Sequence, residues 1–477
     1  MKDKKLIEEL LPEHSIGRSI WNWLDKRFHL DDLAEFLEHK KVPVGGHSTL
    51  WYYFGGVTLF LFIIQIITGI LLLMYYQPGA DTSYESIKHI VLKVPYGWLL
   101  RSVHCWSAHF MVLALIIHMF SVFFLKAYRF PRELTWFTGF GLFGVALAFG
   151  FSGYLLPWNE LSFFATAVGT DSVKSVPFIG NWLLTVLRGG DEVTIRTLYR
   201  FFALHVCVLP FVTFGLVGLH IAFIQRQGMA TPARKQEIDE EPQGMPFFPN
   251  FALRDLLLWV IILNALSILA VTLPYGLGIP GFEWELGSKA DSLKAAYPGI
   301  KPEWYFLWIY QMLKEFPPHF LGMEGPQACL VLINILMGVW FFVPFIDRNG
   351  KRGNPSHIFT DFGVGVIYFI LYLMFKAWDI GVKVPHGIDP NANPETALII
   401  VRNSTFLIMI IAAAVTALRG IKFNHRFFYI SILPVLQAIL HAFLRFSYLT
   451  SGGIALAFLI IVIIASNIKN IKLKKST

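Results

Sequence analysis

Long apolar runs separated by short polar connections set the expected architecture. Runs long enough to cross a bilayer, which takes ~20 residues per helix, lie near 50–76, 101–125, 135–157, 201–224, 255–274, 327–346, 362–378, 397–418, 427–447 and 453–468. An all-α integral membrane protein with about ten spans is expected. Arg402 sits near the start of the eighth run, and Pro434 and Gly452–Gly453 interrupt or bound the last two. Residues 1–47 are polar, and within them 6–40 read as one or two short amphipathic helices on the membrane surface. No cleavable signal is expected there. The polar segment 226–254 divides a four-helix amino-terminal half, 48–228, from a carboxy-terminal half, 229–420, with further helices over 421–477. Connections 158–199 and 275–326 are too long to be turns, and ordered loops of that length tend to carry function.

Composition agrees with the runs: 55% of the 477 residues are hydrophobic and only 15% charged. The net charge of +8 does not point to nucleic acid, because the basic residues lie in connections beside apolar runs. Lys2, Lys4, Lys5, Arg18, Lys26, Arg27, Lys40 and Lys41 precede the first span, and Lys126, Arg129 and Arg132 follow the second. Arg348, Lys351, Arg352, Arg419, Lys422, Arg426 and the lysines of the tail fall on the same side if ten spans leave both ends inside. Cys105, Cys207 and Cys329 are isolated in apolar segments, which excludes a disulfide scaffold, a cysteine zinc site and standard covalent haem attachment.

The second run reads HCWSAHFMVLALIIH from His104 to His118, and the fourth reads HVCVLPFVTFGLVGLH from His205 to His220. An imidazole is unfavourable in hydrocarbon unless something binds it. Fourteen residues return to within about 40° of the starting direction and rise about 21 Å, while fifteen overshoot by about 60°. Each helix therefore carries two imidazoles on one broad face at two depths. The two helices run in the same direction, so His104 pairs with His205 near the outer surface and His118 with His220 near the inner one. Facing imidazole pairs in a helical bundle suit six-coordinate haem iron. A single such histidine is more often a packing residue, but four in two matched pairs are harder to read that way. His109 points about 140° away from His104 and reads as structural or interfacial.

Gly55 and Gly69 in the first run, and Gly139 and Gly153 in the third, repeat the interval of fourteen. A residue without a side chain lets a flat group approach the helix closely. Arg101 and Arg200 precede the outer histidines and either neutralise haem propionates or snorkel to the interface.

TGILLLMYY at 68–76, RSVHCWSAH at 101–109, GYLLPWNE at 153–160, YRFFALH at 199–205 and PEWYF at 302–306 together resemble cytochrome b over about residues 40–380. The resemblance implies a membrane subunit that oxidises quinol near the outer face. One electron goes to a Rieske iron–sulfur protein, and thence to a c-type cytochrome; the other crosses two non-covalent b haems to a quinone near the inner face, with proton translocation. His104 and His205 would hold the outer, low-potential haem, and His118 and His220 the inner, higher-potential one. The likeness assigns the quinol pocket to Tyr154, Pro157, Trp158, Gly169, Pro302, Glu303, Trp304 and Tyr305, with Glu303 and Tyr305 as catalytic groups. A carboxylate at an apolar edge can accept a quinol proton, although it can also cap an interfacial helix. For the inner quinone the likeness suggests Gln225, Arg226, Arg254 and Asp255, where a charged helix start at the headgroups is the alternative. A homodimer in the bacterial cytoplasmic membrane, amino terminus inside, is also implied.

The interval of fifteen in the fourth run and RQGMATP after it resemble the photosynthetic b6 type and its bacterial relatives. That type attaches an additional haem to a cysteine where this chain has Tyr53, so no covalent haem is expected. Two other readings remain open from sequence: a dihaem anchor of a dehydrogenase with one quinone site, and a transporter whose histidines relay protons.

Overall fold

The computed structural model describes residues 14–29, 40–43, 50–176, 178–230, 244–279, 281–291 and 300–347, with scattered positions from 359 to 377. The expected helices over 397–418, 427–447 and 453–468, the tail, and most of 362–378 lie outside the described residues. The described residues divide into two units, one within 14–305 and 312–347 and the other of 306–311 with the scattered positions from 359 to 377. The contacts described below lie within the first.

Helix α1 (Ile16–Phe28) starts at the N-cap Ser15, whose hydroxyl accepts from the Arg18 N–H, and exposes Ile16, Ile20, Trp23 and Phe28. It is the described part of the expected amphipathic segment. Strand β1 (Lys41–Pro43) leads into α2 (Tyr53–Leu73), and α3 (Ser83–Leu92) then turns into α4 (Gly97–Phe124). Helix α5 (Glu133–Leu155) stops before Pro157, whose ring and missing N–H cannot continue it. The long loop that follows holds α6 (Glu160–Lys174), capped by the Asn159 side chain, and α7 (Gly180–Arg188).

Helix α8 (Ile195–Ala203) begins with a capping box at Thr194 and runs through one π turn, Leu204–Val208, into α9 (Leu209–Gln227). Strand β2 (Gly244–Pro246) pairs antiparallel with β1, so the polar boundary segment is tied back to the amino terminus. Helix α10 (Ala252–Thr272) completes five helices that are long and apolar enough to cross a membrane among the described residues. Beyond it come α11 (Leu307–Glu315), the hairpin β3 (His319–Phe320) and β4 (Met323–Glu324), and the shorter apolar α12 (Gly325–Phe341) with α13 (Val343–Ile346). These elements match the first six expected runs to within a few residues.

Helix α4 is central. Half of its apolar window is buried, against 6% to 17% for the other four spans, which turn apolar side chains such as Phe211, Ile261 and Ile268 outward. Lipid is the solvent that tolerates such a surface. Ser102 and Trp106 of α4 donate to the carbonyls of Ala270 and Leu273 at the end of α10, at 3.2 and 3.0 Å. At the other end, Arg129 and Tyr128 both bond the Asp347 carboxylate, at 2.8 and 2.7 Å, and Trp136 donates to the Phe341 carbonyl. Carboxy-terminal elements are thus fastened to α4 and its following loop at both ends.

Candidate functional site

The four helical histidines are held in one repeated way. A Cβ placed on Gly69 would lie 3.5 Å from Cε1 of His104, on Gly153 2.6 Å from Cε1 of His205, on Gly139 3.1 Å from that of His220, and on Gly55 3.2 Å from that of His118. Each glycine therefore admits the imidazole edge of the helix packed beside it, α2 serving α4, and α5 serving the π turn and α9. Each glycine thus makes room for an imidazole. His205 lies near His104, and His220 near His118.

The residue before each glycine adds a second constraint. Thr68, Thr138 and Ser152 donate their hydroxyl protons to the carbonyls of Ile64, Leu134 and Ala148 in their own helices. Their oxygens lie 2.8 Å from Nδ1 of His104, 2.9 Å from Nδ1 of His220 and 3.2 Å from Nδ1 of His205. With its proton spent, each hydroxyl accepts from the ring, so Nδ1 carries the hydrogen and Nε2 keeps its lone pair. The Phe149 and Thr135 carbonyls also accept from His205 and His220. A donated Nδ1–H and a free Nε2 is the usual state of a metal-ligating histidine. These donors fit iron held between paired imidazoles. His118 differs: Phe54 precedes Gly55, and its buried Nδ1 has no hydrogen-bond partner among the described residues.

The π turn explains how an interval of fifteen works in α9. Leu209 N–H bonds the Leu204 carbonyl five residues back, so this turn holds one residue more than an α turn. The expected overshoot of His220 is absorbed, and both imidazoles of this helix face α5.

His118 and His220 line an apolar cavity of about 530 Å³ with Gly55, Gly139, Arg132, Gln225, Gln227, Asp255 and Trp259. Gly56 gives the Asp255 carboxyl room to lie against α2, with the Trp259 indole N–H one turn along α10 directed toward the same carboxyl. Of the expected inner-site residues, Gln225 and Asp255 reach this cavity, whereas Arg226 and Arg254 lie on the exposed surface and outside its lining. Arg254 precedes Asp255 on α10 and so points about 100° away. Gln227, beside Gln225 after the fourth-span ligand, also reaches the cavity and accepts from the Thr135 hydroxyl at 3.0 Å, and Arg132, which no spacing marks, supplies a further polar position.

At the opposite end, Glu303, Trp304 and Tyr305 are all buried. The Tyr305 hydroxyl packs against Gly150, three residues before the glycine that faces His205, which sets this segment at the depth of the outer pair. Tyr154 lies near Tyr305. Burial, and secondarily the nearby Glu283, push the Glu303 carboxyl well above its ordinary range. Trp304 stacks on Phe282 with an interplanar angle of 3°, and its backbone N–H donates to the Gly281 carbonyl. Gly281 has φ +81°, and a Cβ there would collide with the Trp304 nitrogen at 2.6 Å.

Other expected outer-site residues have different contacts. Trp158, at φ +50°, packs with Leu155, Phe163, Leu198 and Phe201 in the core of the long loop. Gly169 on α6 abuts the Phe151 ring, and Pro157 and Pro302 are half-buried. Arg101 is buried and donates to the Trp284 carbonyl at 2.7 Å, and the exposed Arg200 bonds the Thr185 carbonyl at the end of α7 at 2.7 Å. His109, expected from its direction to be structural or interfacial, sits against Glu303 and Trp304.

The family model for cytochrome b/b6/petB matches residues 39–228, and that for cytochrome b (C-terminal)/b6/petD matches residues 289–391. The cytochrome bc complex cytochrome b subunit of Chlorobaculum thiosulfatiphilum is 44% identical over 362 residues, covering 76% of this chain and 81% of that protein. Cytochrome b6 of Prochlorococcus marinus (strain MIT 9515) is 38% identical over 218 residues, 46% of this chain and 99% of its own length. A chain of a solved structure titled "Hyperthermophilic respiratory Complex III" superposes with a TM-score of 0.64 at 27% identity, covering 75% of this chain and 90% of that one. With paired buried imidazoles, a membrane-spanning bundle and these likenesses together, the chain belongs to the cytochrome b/b6 family of haem- and quinone-binding membrane proteins of electron transport.

Proposed function

We propose that this chain is the dihaem subunit of a quinol:cytochrome c-type oxidoreductase. It oxidises quinol at the Glu303 end, reduces quinone at the Asp255 end, and translocates protons as a result. His104 with His205, and His118 with His220, would hold one non-covalent b haem each, the outer of lower potential. Haem iron, when bound there, supplies reversible one-electron transfer across the membrane.

The observation that carries this reading is that each imidazole pair has a carboxyl beside it, buried at Glu303 and half-buried at Asp255. Glu303 lies at the depth of the outer pair, and Asp255 lies on Gly56, next to the glycine that faces His118. Quinol must shed protons as it sheds electrons, and quinone must gain them, so a carboxyl at each end is what two quinone sites need. A dehydrogenase anchor with one quinone site has use for only one. Tyr305 and Tyr154 would orient the quinol ring, while Arg132 and Gln225 would bind quinone oxygens at the inner cavity. Tyr53, stacked on Phe251 at 4.4 Å, fills the place of a haem-attaching cysteine. The partners are a Rieske iron–sulfur protein, a c-type cytochrome, lipid and a second copy of the chain. The setting is the bacterial cytoplasmic membrane, with the amino terminus inside.

The purified complex is expected to show two b-type components in a redox-titrated spectrum, and His118→Ala is expected to lose one of them while electron flow to the inner site stops. A wild-type complex without a b-type pyridine haemochrome, or a variant that keeps both components, would overturn the assignment.

A further inference from the structure

His109 belongs to neither imidazole pair, yet it is buried and fully engaged. Its Nδ1 accepts from the Trp304 indole N–H at 3.0 Å. An indole nitrogen can only donate, so Nδ1 carries the lone pair and the neutral ring must carry its hydrogen on Nε2. That Nε2 lies 3.6 Å from Glu303 Oε2, a buried oxygen with no hydrogen-bond partner among the described residues. The separation is slightly too long for a hydrogen bond, and a small carboxyl rotation closes it. The ring itself is held. It stacks on Trp284 at 5.2 Å and 24°, and packs against Phe282 at 5.2 Å. Arg101 anchors the Trp284 carbonyl to the same helix.

We propose that His109 is a positioning residue for Glu303: with its tautomer set by Trp304, it presents Nε2–H to the carboxyl and favours the ionised form that can take a proton from quinol. The inference rests on the reading of Glu303 as the proton acceptor. Groups facing the carboxyl are Cys105 and His109 on α4, Glu283 in the loop after α10, and Tyr305 beside it, with Tyr154 behind Tyr305. Among them Glu283 is a like charge, and His109 is the group whose N–H is directed at the carboxyl by a fixed tautomer. Burial and Glu283 both favour a carboxyl that is already protonated and useless as a base. A fixed N–H opposes both, and it does so without charge on the imidazole, because a second proton could enter only by displacing the Trp304 bond.

The test uses the full complex with H109F, H109Q and, as control, E303Q. The infrared carbonyl band of protonated Glu303, identified as the band missing in E303Q, is titrated against pH beside the pH profile of quinol oxidation and the haem spectrum. H109F is expected to raise the carboxyl midpoint and the acidic limb of the rate by about one pH unit, the size of one lost hydrogen bond to a charged group. H109Q, which keeps a side-chain N–H of similar reach, is expected to recover part of that shift. An unchanged carboxyl midpoint in H109F, with both haem bands intact, overturns the inference. If H109F fails to assemble, H109Q against His109→Asn, whose amide stops short of the carboxyl, provides the same contrast, and equal midpoints overturn the inference. Wild-type turnover in E303Q would instead overturn the acceptor role of Glu303, while the infrared titration would still report whether His109 sets the carboxyl.

Discussion

The Thr138 hydroxyl lies 2.9 Å from Nδ1 of His220 and has already given its own proton to its helix, so the imidazole is the donor in this pair. Taking away this acceptor, with the Thr135 carbonyl remaining, makes the ring a weaker donor to iron and removes part of the stabilisation of the ferric state. Thr138→Val is therefore expected to raise the midpoint potential of the inner haem by tens of millivolts, on the scale of about 59 mV per tenfold for one electron. Thr138→Ser should stay near wild type. A redox titration that finds equal potentials in Val and wild type would show that the hydroxyl does not tune the ligand.

The glycines make graded demands. A Cβ at Gly153 would press to 2.6 Å of the His205 ring, whereas one at Gly69 would rest at an ordinary 3.5 Å from His104. Gly153→Ala is expected to shift His205 and lose most of the outer haem, and Gly69→Ala to retain it. Haem content per chain from the pyridine haemochrome separates the two, and equal retention would contradict the geometry.

The π turn at Leu204–Val208 accounts for one residue of the interval between His205 and His220. Deleting Val206 should convert it to an α turn with an interval of fourteen, and both haems should still bind. Inserting one alanine after Val212, in regular helix, rotates His220 by about 100° and should abolish the inner haem. Loss of haem in the deletion would show that the turn does more than absorb a residue.

Only ionised Glu303 can accept a quinol proton, and its carboxyl is raised by burial and then by Glu283. The quinol oxidation rate should thus rise with pH through a limb above the usual carboxylate range of about 4.3. Glu283→Gln removes a like charge and should move that limb downward. Glu303→Gln should remove the limb and slow turnover on the order of 10²-fold with both haems bound, as loss of a general base does. Stopped-flow rates across pH decide this; unchanged turnover in Glu303→Gln returns the carboxyl to a structural role.

Apolar run length determined the first six helices, and spacing the depth pairing of His104 with His205 and His118 with His220 and the glycine interval, because helix geometry converts residue intervals into directions and depths without reference to neighbours. A hydroxyl residue directly before Gly69, Gly139 and Gly153, at Thr68, Thr138 and Ser152, is a further repeat legible in the sequence. Only the tertiary structure decided where polar side chains point at helix ends and in loops, since there neighbouring carbonyls and rings set the direction and no period applies. It sent Arg254 and Arg226 to the surface, set Arg101 on the Trp284 carbonyl, and brought Arg132 to the inner cavity. It also joined His109 to Trp304, a residue 195 positions later in the chain. Such a contact depends on how two distant segments pack, and no local pattern encodes it.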